Sequence, residues 1–176
     1  MKNRHGVMVS PLSQKDIDST ANGIRGNLSL SETMYFPILE VIEIVMPQVI
    51  DGYELHILTK NEMGNDLGRT YPKQHLIQLR EDVYDGLNGG NGMARFTAAH
   101  ELGHFVLHQD ESPMQRGDST WPPYMDSEWQ ANAFAASLLM PMDLVEKCSS
   151  PIDVENHFGV TMTAAKIRYG KVTEKK

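Results

Sequence analysis

Ile17, Ala21, Ile24 and Leu28 recur at intervals of three and four, the spacing of one helical face. Ser13, with Asp16 three residues on, supplies a cap for that helix. A second helix is expected over residues 36–45, stopping at Pro47, whose ring blocks the preceding turn. The pattern then changes. Residues 53–58 and 75–79 read as short strands, with a turn at Gly64-Asn65-Asp66 and residues 68–71 between them. Asn88 to Gly92 reads as a flexible loop, and helical periodicity returns from 93 to about 108. The polar stretch 109–123 holds Pro113, Gly117, Pro122 and Pro123 and reads as a connection. Ser127 with Gln130 suggests a capping box for a helix that runs to 140 and breaks at Pro141. Residues 151–170 read as two short helices around Gly159. Helices, a small sheet and more helices predict an α+β fold, organised as a core over 1–148 and a helical segment, 149–176, packed on the same domain.

Composition narrows the possibilities. The 176 residues allow one domain with its own core, and a single cysteine, Cys148, excludes an internal disulfide and suits a reducing compartment. No apolar stretch follows the basic start, so no signal peptide is expected. The run 41–50 is interrupted by Glu43 and Pro47 and is too short to span a bilayer. The expected location is cytoplasmic, with no membrane partner. Of the net charge of -7, residues 1–30 carry four Lys/Arg against two Asp/Glu, and residues 151–176 five against three. The middle, 31–150, is therefore strongly acidic, which opposes a phosphate backbone and argues against nucleic acid as a direct substrate. Binding DNA through 151–170 is a weak reading, since Asp153 and Glu155 make the first helix acidic and the second offers only Lys166 and Arg168, with Lys171 beyond.

The candidate chemistry lies in His100-Glu101-Leu102-Gly103-His104. Residues four apart share a helical face, so both imidazoles can reach one ion at ~2.0–2.1 Å, while Glu101 projects beside it as a general base. Alone, such a pentapeptide arises by chance in roughly a few sequences per hundred. Phe96, Ala99, Val106 and Leu107 offer the helix an apolar face. Gly103 costs a helix interior ~1 kcal/mol relative to alanine, tolerable where another backbone comes close. A catalytic zinc wants a third ligand and an open position, and three residues compete for the former. Asp110 would need a glycine turn where Leu107 stands. His108 lies ~6 Å farther along the axis than His104. Glu128, in the first turn of the next helix, is the best placed, although a carboxylate there also suits the helix dipole. Asn132, one turn on, is positioned to orient a ligand histidine, and Ala131 and Ala135 keep the face small. Tyr124, Arg116 and His157 are candidates for stabilising an oxyanion. Trp121 and Tyr124 offer stacking surface.

The run from Arg95 to His104 with Leu107-His108, followed by Glu128-Trp129-Gln130-Ala131-Asn132-Ala133-Phe134-Ala135-Ala136-Ser137-Leu138-Leu139-Met140-Pro141, resembles the ImmA/IrrE family of metallopeptidases. The resemblance covers roughly 93–170. It implies a zincin-like cytoplasmic endopeptidase with Zn2+ on His100, His104 and Glu128 and with Glu101 as base. It also implies a partner substrate, such as a helix-turn-helix repressor or a toxin–antitoxin component. Family members usually show an acidic residue where Gln130 stands, so position 130 is not expected to bind metal here. Manganese or iron also suit a two-histidine, one-carboxylate set. A non-proteolytic binding module that keeps the fold is the competing expectation.

Overall fold

The protein is described by a computed structural model covering residues 6–109 and 121–174. Ten α-helical segments and three strands succeed one another in those residues. Helix α1 (Gln14–Asn27) opens with the predicted Ser13–Asp16 capping box and buries Ile17 and Ala21. The next helical run does not stop at Pro47. It passes from α2 (Ile38–Glu40) through a π turn (Val41–Val45) into α3 (Met46–Val49). The Met46 amide donates to the Val41 carbonyl, five residues back. That widened turn makes room for a ring that would clash with an ordinary α turn, and Pro47 has no amide to leave unpaired.

The sheet has the order β1 (Glu54–Leu58), β3 (Leu76–Arg80), β2 (Gly68–Tyr71), with β1 parallel and β2 antiparallel to the central strand. Ile77 and Leu79, two apart on β3, are fully buried and fix which face meets the core. Strand β2, which the sequence left between two strands, is a true edge strand lying against α6 (Gly92–Leu107). Further helices escaped the pattern. Helix α4 (Lys60–Met63) starts with a Thr59–Glu62 capping box, and α5 (Glu81–Asn88) buries Val83 and Leu87 in the stretch before the expected loop, to which the pattern assigned no element.

Helix α7 (Ser127–Leu139) crosses α6 and packs also on α1. Its cap is Asp126 rather than Ser127: the Asp126 carboxylate accepts from the Trp129 amide, while the Ser127 hydroxyl accepts from Val7. The capping side chain must sit one residue outside the helix, and Asp126 holds that place. After α8 (Met142–Val145) come α9 (Pro151–Phe158) and α10 (Met162–Thr173), the pair expected around Gly159, which ends α9 in the left-handed region at φ 62. Val154, Phe158, Ala165 and Val172 join one core cluster with Phe105, Phe134 and Leu138. Buried Arg95 fastens α6 to this end by donating to the carbonyls of Phe36, Phe158 and Gly159. The architecture is α+β with a small mixed sheet. Among the described residues no helix is long and apolar enough to cross a membrane.

Candidate metal centre

The Asn91 side chain caps α6 by accepting from the Met93 and Ala94 amides, which sets the rotation of the helix from its first turn. Ala98, Leu102 and Phe105 form the buried stripe, with Phe96, Val106 and Leu107 only partly covered. His100 and His104 therefore stand together at the edge of the buried face. Their rings meet edge to face at 4.7 Å, and their Nε2 atoms are 3.1 Å apart. Glu128, in the first turn of α7, brings Oε2 to 3.5 Å from His100 Nε2 and Oε1 to 3.3 Å from His104 Nε2. Gly103 is what lets α7 come so near. A Cβ on it would stand 3.0 Å from Phe134 Cδ1 and 3.2 Å from both Cα and the carbonyl oxygen of Ala131.

Donors on a tetrahedral ion with bonds of ~2.0–2.1 Å lie about 3.3–3.4 Å apart. The separations of 3.1, 3.3 and 3.5 Å, the last two to different oxygens of the one carboxylate, are of that size, so two imidazoles and a carboxylate of this spacing fit an ion such as zinc. Among the described residues these three ligand-type side chains form the cluster able to hold a metal. The electrostatics agree. Hydrogen bonds from His100 and His104 hold the Glu128 carboxyl far below the usual range, outweighing burial. Burial opposes charge on His100, but the Glu128 hydrogen bond and the Glu101 and Glu128 charges prevail and raise its pKa. The site attracts positive charge, as a proton or as a cation.

Glu101 lies against β2, close enough to the histidine pair for their charges to act on one another. Its carboxylate Oε2 lies 2.6 Å from Thr70 Oγ1, and the same hydroxyl is 3.1 Å from the Glu101 carbonyl. A Cβ at Gly68 would run into Glu101 Cγ at 2.5 Å, so β2 needs glycine there. Burial pushes the Glu101 carboxyl up, while the charges of His100 and His104 and the Thr70 hydrogen bond pull it down. Thr70 can serve either state of this carboxyl. It donates to the carboxylate, or accepts from the acid while donating to the carbonyl.

The outer ring nitrogens of the histidine pair are also engaged. His100 Nδ1 is 3.0 Å from Asn132 Oδ1, the contact expected of that asparagine. His104 Nδ1 is 3.1 Å from His108 Nδ1, and His108 Nε2 is 3.1 Å from Gln130 Oε1. His108 is thus a buried bridge between His104 and Gln130. Gln130 is fully buried and stands off the ligand triangle. Asp110 and Arg116 lie outside the described residues. Of the other oxyanion candidates, His157 Nδ1 bonds the Asp153 carbonyl on its own helix, and Tyr124 is half exposed in the 3-10 turn before α7. Trp121 is tied by its ring N–H to Asp126. Thr70 and Gly68 had no local sequence signal, because only the β2–α6 contact gives them a role.

Residues 90–169 match the model of the Peptidase_M78 family, described as an IrrE N-terminal-like domain. The matched stretch contains His100, Glu101, His104 and Glu128, whereas β2, with Thr70 and Gly68, lies before it. No curated protein matches the chain. A solved structure described as a Mycobacterium tuberculosis transcriptional regulator is similar to it at a TM-score of 0.59 and 16% identity. The match covers 86% of this chain and 45% of that one, so the protein spans less than half of that regulator's length. At this identity the likeness is one of fold.

Proposed function

We propose that the protein is a cytoplasmic zinc-dependent endopeptidase that cleaves a regulatory partner, such as a helix-turn-helix repressor or a toxin–antitoxin component. The observation that carries this reading is the meeting of His100 Nε2 and His104 Nε2, 3.1 Å apart, with the Glu128 carboxylate, whose Oε2 lies 3.5 Å from the first and whose Oε1 lies 3.3 Å from the second, next to buried Glu101. His100, His104 and Glu128 would hold the ion. The chemistry that zinc would supply there is Lewis acidity, which would lower the pKa of a water toward ~7 and polarise the scissile carbonyl. Glu101 Oε takes a proton from the attacking water and returns it to the leaving amine. Burial favours the protonated carboxyl and Thr70 accommodates both forms, so Glu101 can accept that proton without reorganising its surroundings. Asn132 holds the His100 ring in place.

A second reading is a binding module that retains the metal centre and acts by holding a regulator. The likeness in fold to a Mycobacterium tuberculosis transcriptional regulator favours it. Mixing the purified protein with the product of a neighbouring gene separates the two. A discrete fragment that requires zinc supports the peptidase, and a stable uncut complex supports the module. In the peptidase, Glu101→Gln retains zinc and loses cleavage, whereas His104→Ala and Glu128→Ala release zinc. Wild-type cleavage by Glu101→Gln removes the proposed base. Full zinc occupancy in Glu128→Ala, by elemental analysis, removes the third ligand.

A further inference from the structure

The hydrogen bonds behind His104 run in one direction. Gln130 Nε2 lies 2.8 Å from the carbonyl of Ser10 and 2.8 Å from the carbonyl of Tyr124. Both are acceptors, so this amide end must be the NH2 group, and a flipped amide would set its oxygen against two carbonyls. Gln130 Oε1 therefore faces His108 Nε2 as an acceptor, and His108 must carry its proton on Nε2. A neutral His108 then has a bare lone pair on Nδ1. That atom lies 3.1 Å from His104 Nδ1, which must in turn donate. In the neutral ring the remaining nitrogen of His104, Nε2, is then the one without a proton, and it faces His100 and Glu128.

We infer that Gln130 and His108 are positioning residues that lock His104 into the tautomer needed to bind a metal through Nε2. The inference rests on the zinc reading above and extends it to two residues that touch no substrate and no ion. Asn132 performs the same task for His100 in a single step, since its Oδ1 accepts from His100 Nδ1 and frees Nε2. The two ligand histidines are thus oriented from opposite sides. One bond is direct, and the other passes through a buried imidazole to an amide anchored on the N-terminal segment at Ser10 and on the 3-10 turn at Tyr124. With hydrogen on His104 Nε2 instead, that atom could donate to Glu128 Oε1 or His100 Nε2, but two bare nitrogens would then face each other at the His104–His108 contact, or His108 would turn a lone pair on the Gln130 oxygen. Either leaves buried polar groups unpaired, which costs more than a lost surface hydrogen bond.

The test uses the full chain and has two arms. In the first, the metal-free wild type, labelled with 15N, is observed at pH ~9, where imidazoles are neutral. His104 is expected as the Nδ1–H form and His108 as the Nε2–H form. A dominant Nε2–H form of His104 overturns the inference. In the second arm, Zn2+ affinity is measured by competition with a chromophoric chelator for wild type, His108→Leu and His108→Asn. Asparagine places an oxygen where the imidazole Nδ1 stood and can accept from His104. Leucine cannot. His108→Leu is expected to bind zinc ~10–100-fold more weakly, the range for losing the partner of a ligand histidine, and His108→Asn to stay within about threefold of wild type. Equal affinity for His108→Leu and wild type overturns the inference, as does an equal loss in both variants, which marks a packing role. If His108→Leu fails to fold, the wild-type tautomers and His108→Asn decide. If the wild type takes up no zinc at all, the peptidase reading falls, while the tautomer measurement still judges the relay on its own.

Discussion

Replacing Gly103 by alanine tests whether the α6–α7 approach builds the metal centre. Two effects oppose each other. Alanine in a helix interior gains ~1 kcal/mol over glycine. The added methyl, however, would stand 3.0 Å from Phe134 Cδ1 and 3.2 Å from the Cα and the carbonyl oxygen of Ala131. Two of those three atoms are backbone of a helix whose Ala131, Phe134 and Ala135 are fully buried, so little can yield. Overpacking of this kind costs about 1–3 kcal/mol, which leaves a net loss of roughly 0–2 kcal/mol. At ~2–4 °C per kcal/mol for a chain of this size, the melting temperature of the metal-free protein should fall by up to about 8 °C. The sharper signature is zinc affinity. Glu128 rides on the same helix one turn before Ala131, and metal–ligand distances tolerate only ~0.2 Å. A shift of a few tenths of an ångström should weaken Zn2+ binding at least ~10-fold, read by chelator competition. Gly23→Ala is the control. Gly23 lies in α1 with nothing within 4 Å of a built Cβ, so alanine should stabilise by about 0.5–1 kcal/mol and leave zinc binding unchanged. A Gly103→Ala protein that melts higher, like Gly23→Ala, and binds zinc as tightly as wild type would refute the argument.

Thr70→Val removes the hydroxyl that contacts Glu101 Oε2 and its carbonyl. Cleavage of the cognate partner should slow about tenfold or more, with its acid limb moved to higher pH because that hydrogen bond holds the Glu101 pKa down. An unchanged pH–rate profile would remove Thr70 from the mechanism. Metal-free stability should also depend on pH in a defined way. The lowered Glu128 contributes stability above about 4.3 that disappears as pH falls through its folded value. The raised His100 contributes stability below about 6.5 that disappears as pH rises through its folded value, and the raised Glu101 acts in the same direction on that side. Melting temperatures across this range should therefore pass through a maximum on the acidic side of neutrality. Glu128→Gln should flatten it, and an unaltered curve in that variant would show that the His–Glu contacts contribute nothing.

What the sequence made legible were the parts governed by local rules. The Ser13–Asp16 box, the i, i+4 histidines and the helices around Gly159 each depend on a few neighbours along the chain, and each appears as read. Gly103 was legible for the same reason: a costly residue inside a strong helix calls for a close neighbour, and Ala131 is that neighbour. The misses share another cause. Pro47 ends a helix only if the turn before it is α, and the π turn at Val41–Val45 relieved the clash. Val83 and Leu87, four apart behind Glu81 and Asp82, were a readable signal for α5, but they were overshadowed by the glycines that follow. Thr70 is 31 residues from Glu101, and nothing local connects them. His108 was placed correctly away from the ligand triangle, yet its bridging role needed Gln130, 22 residues on and a helix away.

These long-range contacts put half of the site on α7. That helix supplies the carboxylate of Glu128, the oxygen of Asn132 that orients one imidazole, and the Gln130 amide that reaches the other through His108. Helix α6 alone offers two imidazoles whose nearest nitrogens face each other at 3.1 Å, an arrangement that needs a shared proton or cation to be favourable. The packing of Gly103 on Ala131 decides whether that cation has a carboxylate to complete its shell. An ion that binds only when both helices are docked must stabilise the docked state by mass action, about 2.7 kcal/mol at a hundredfold excess over its dissociation constant. Under the proposed function, a partner pressing on the exposed Tyr124 in the turn before α7, where the Gln130 amide is anchored, would act on the metal centre without touching it.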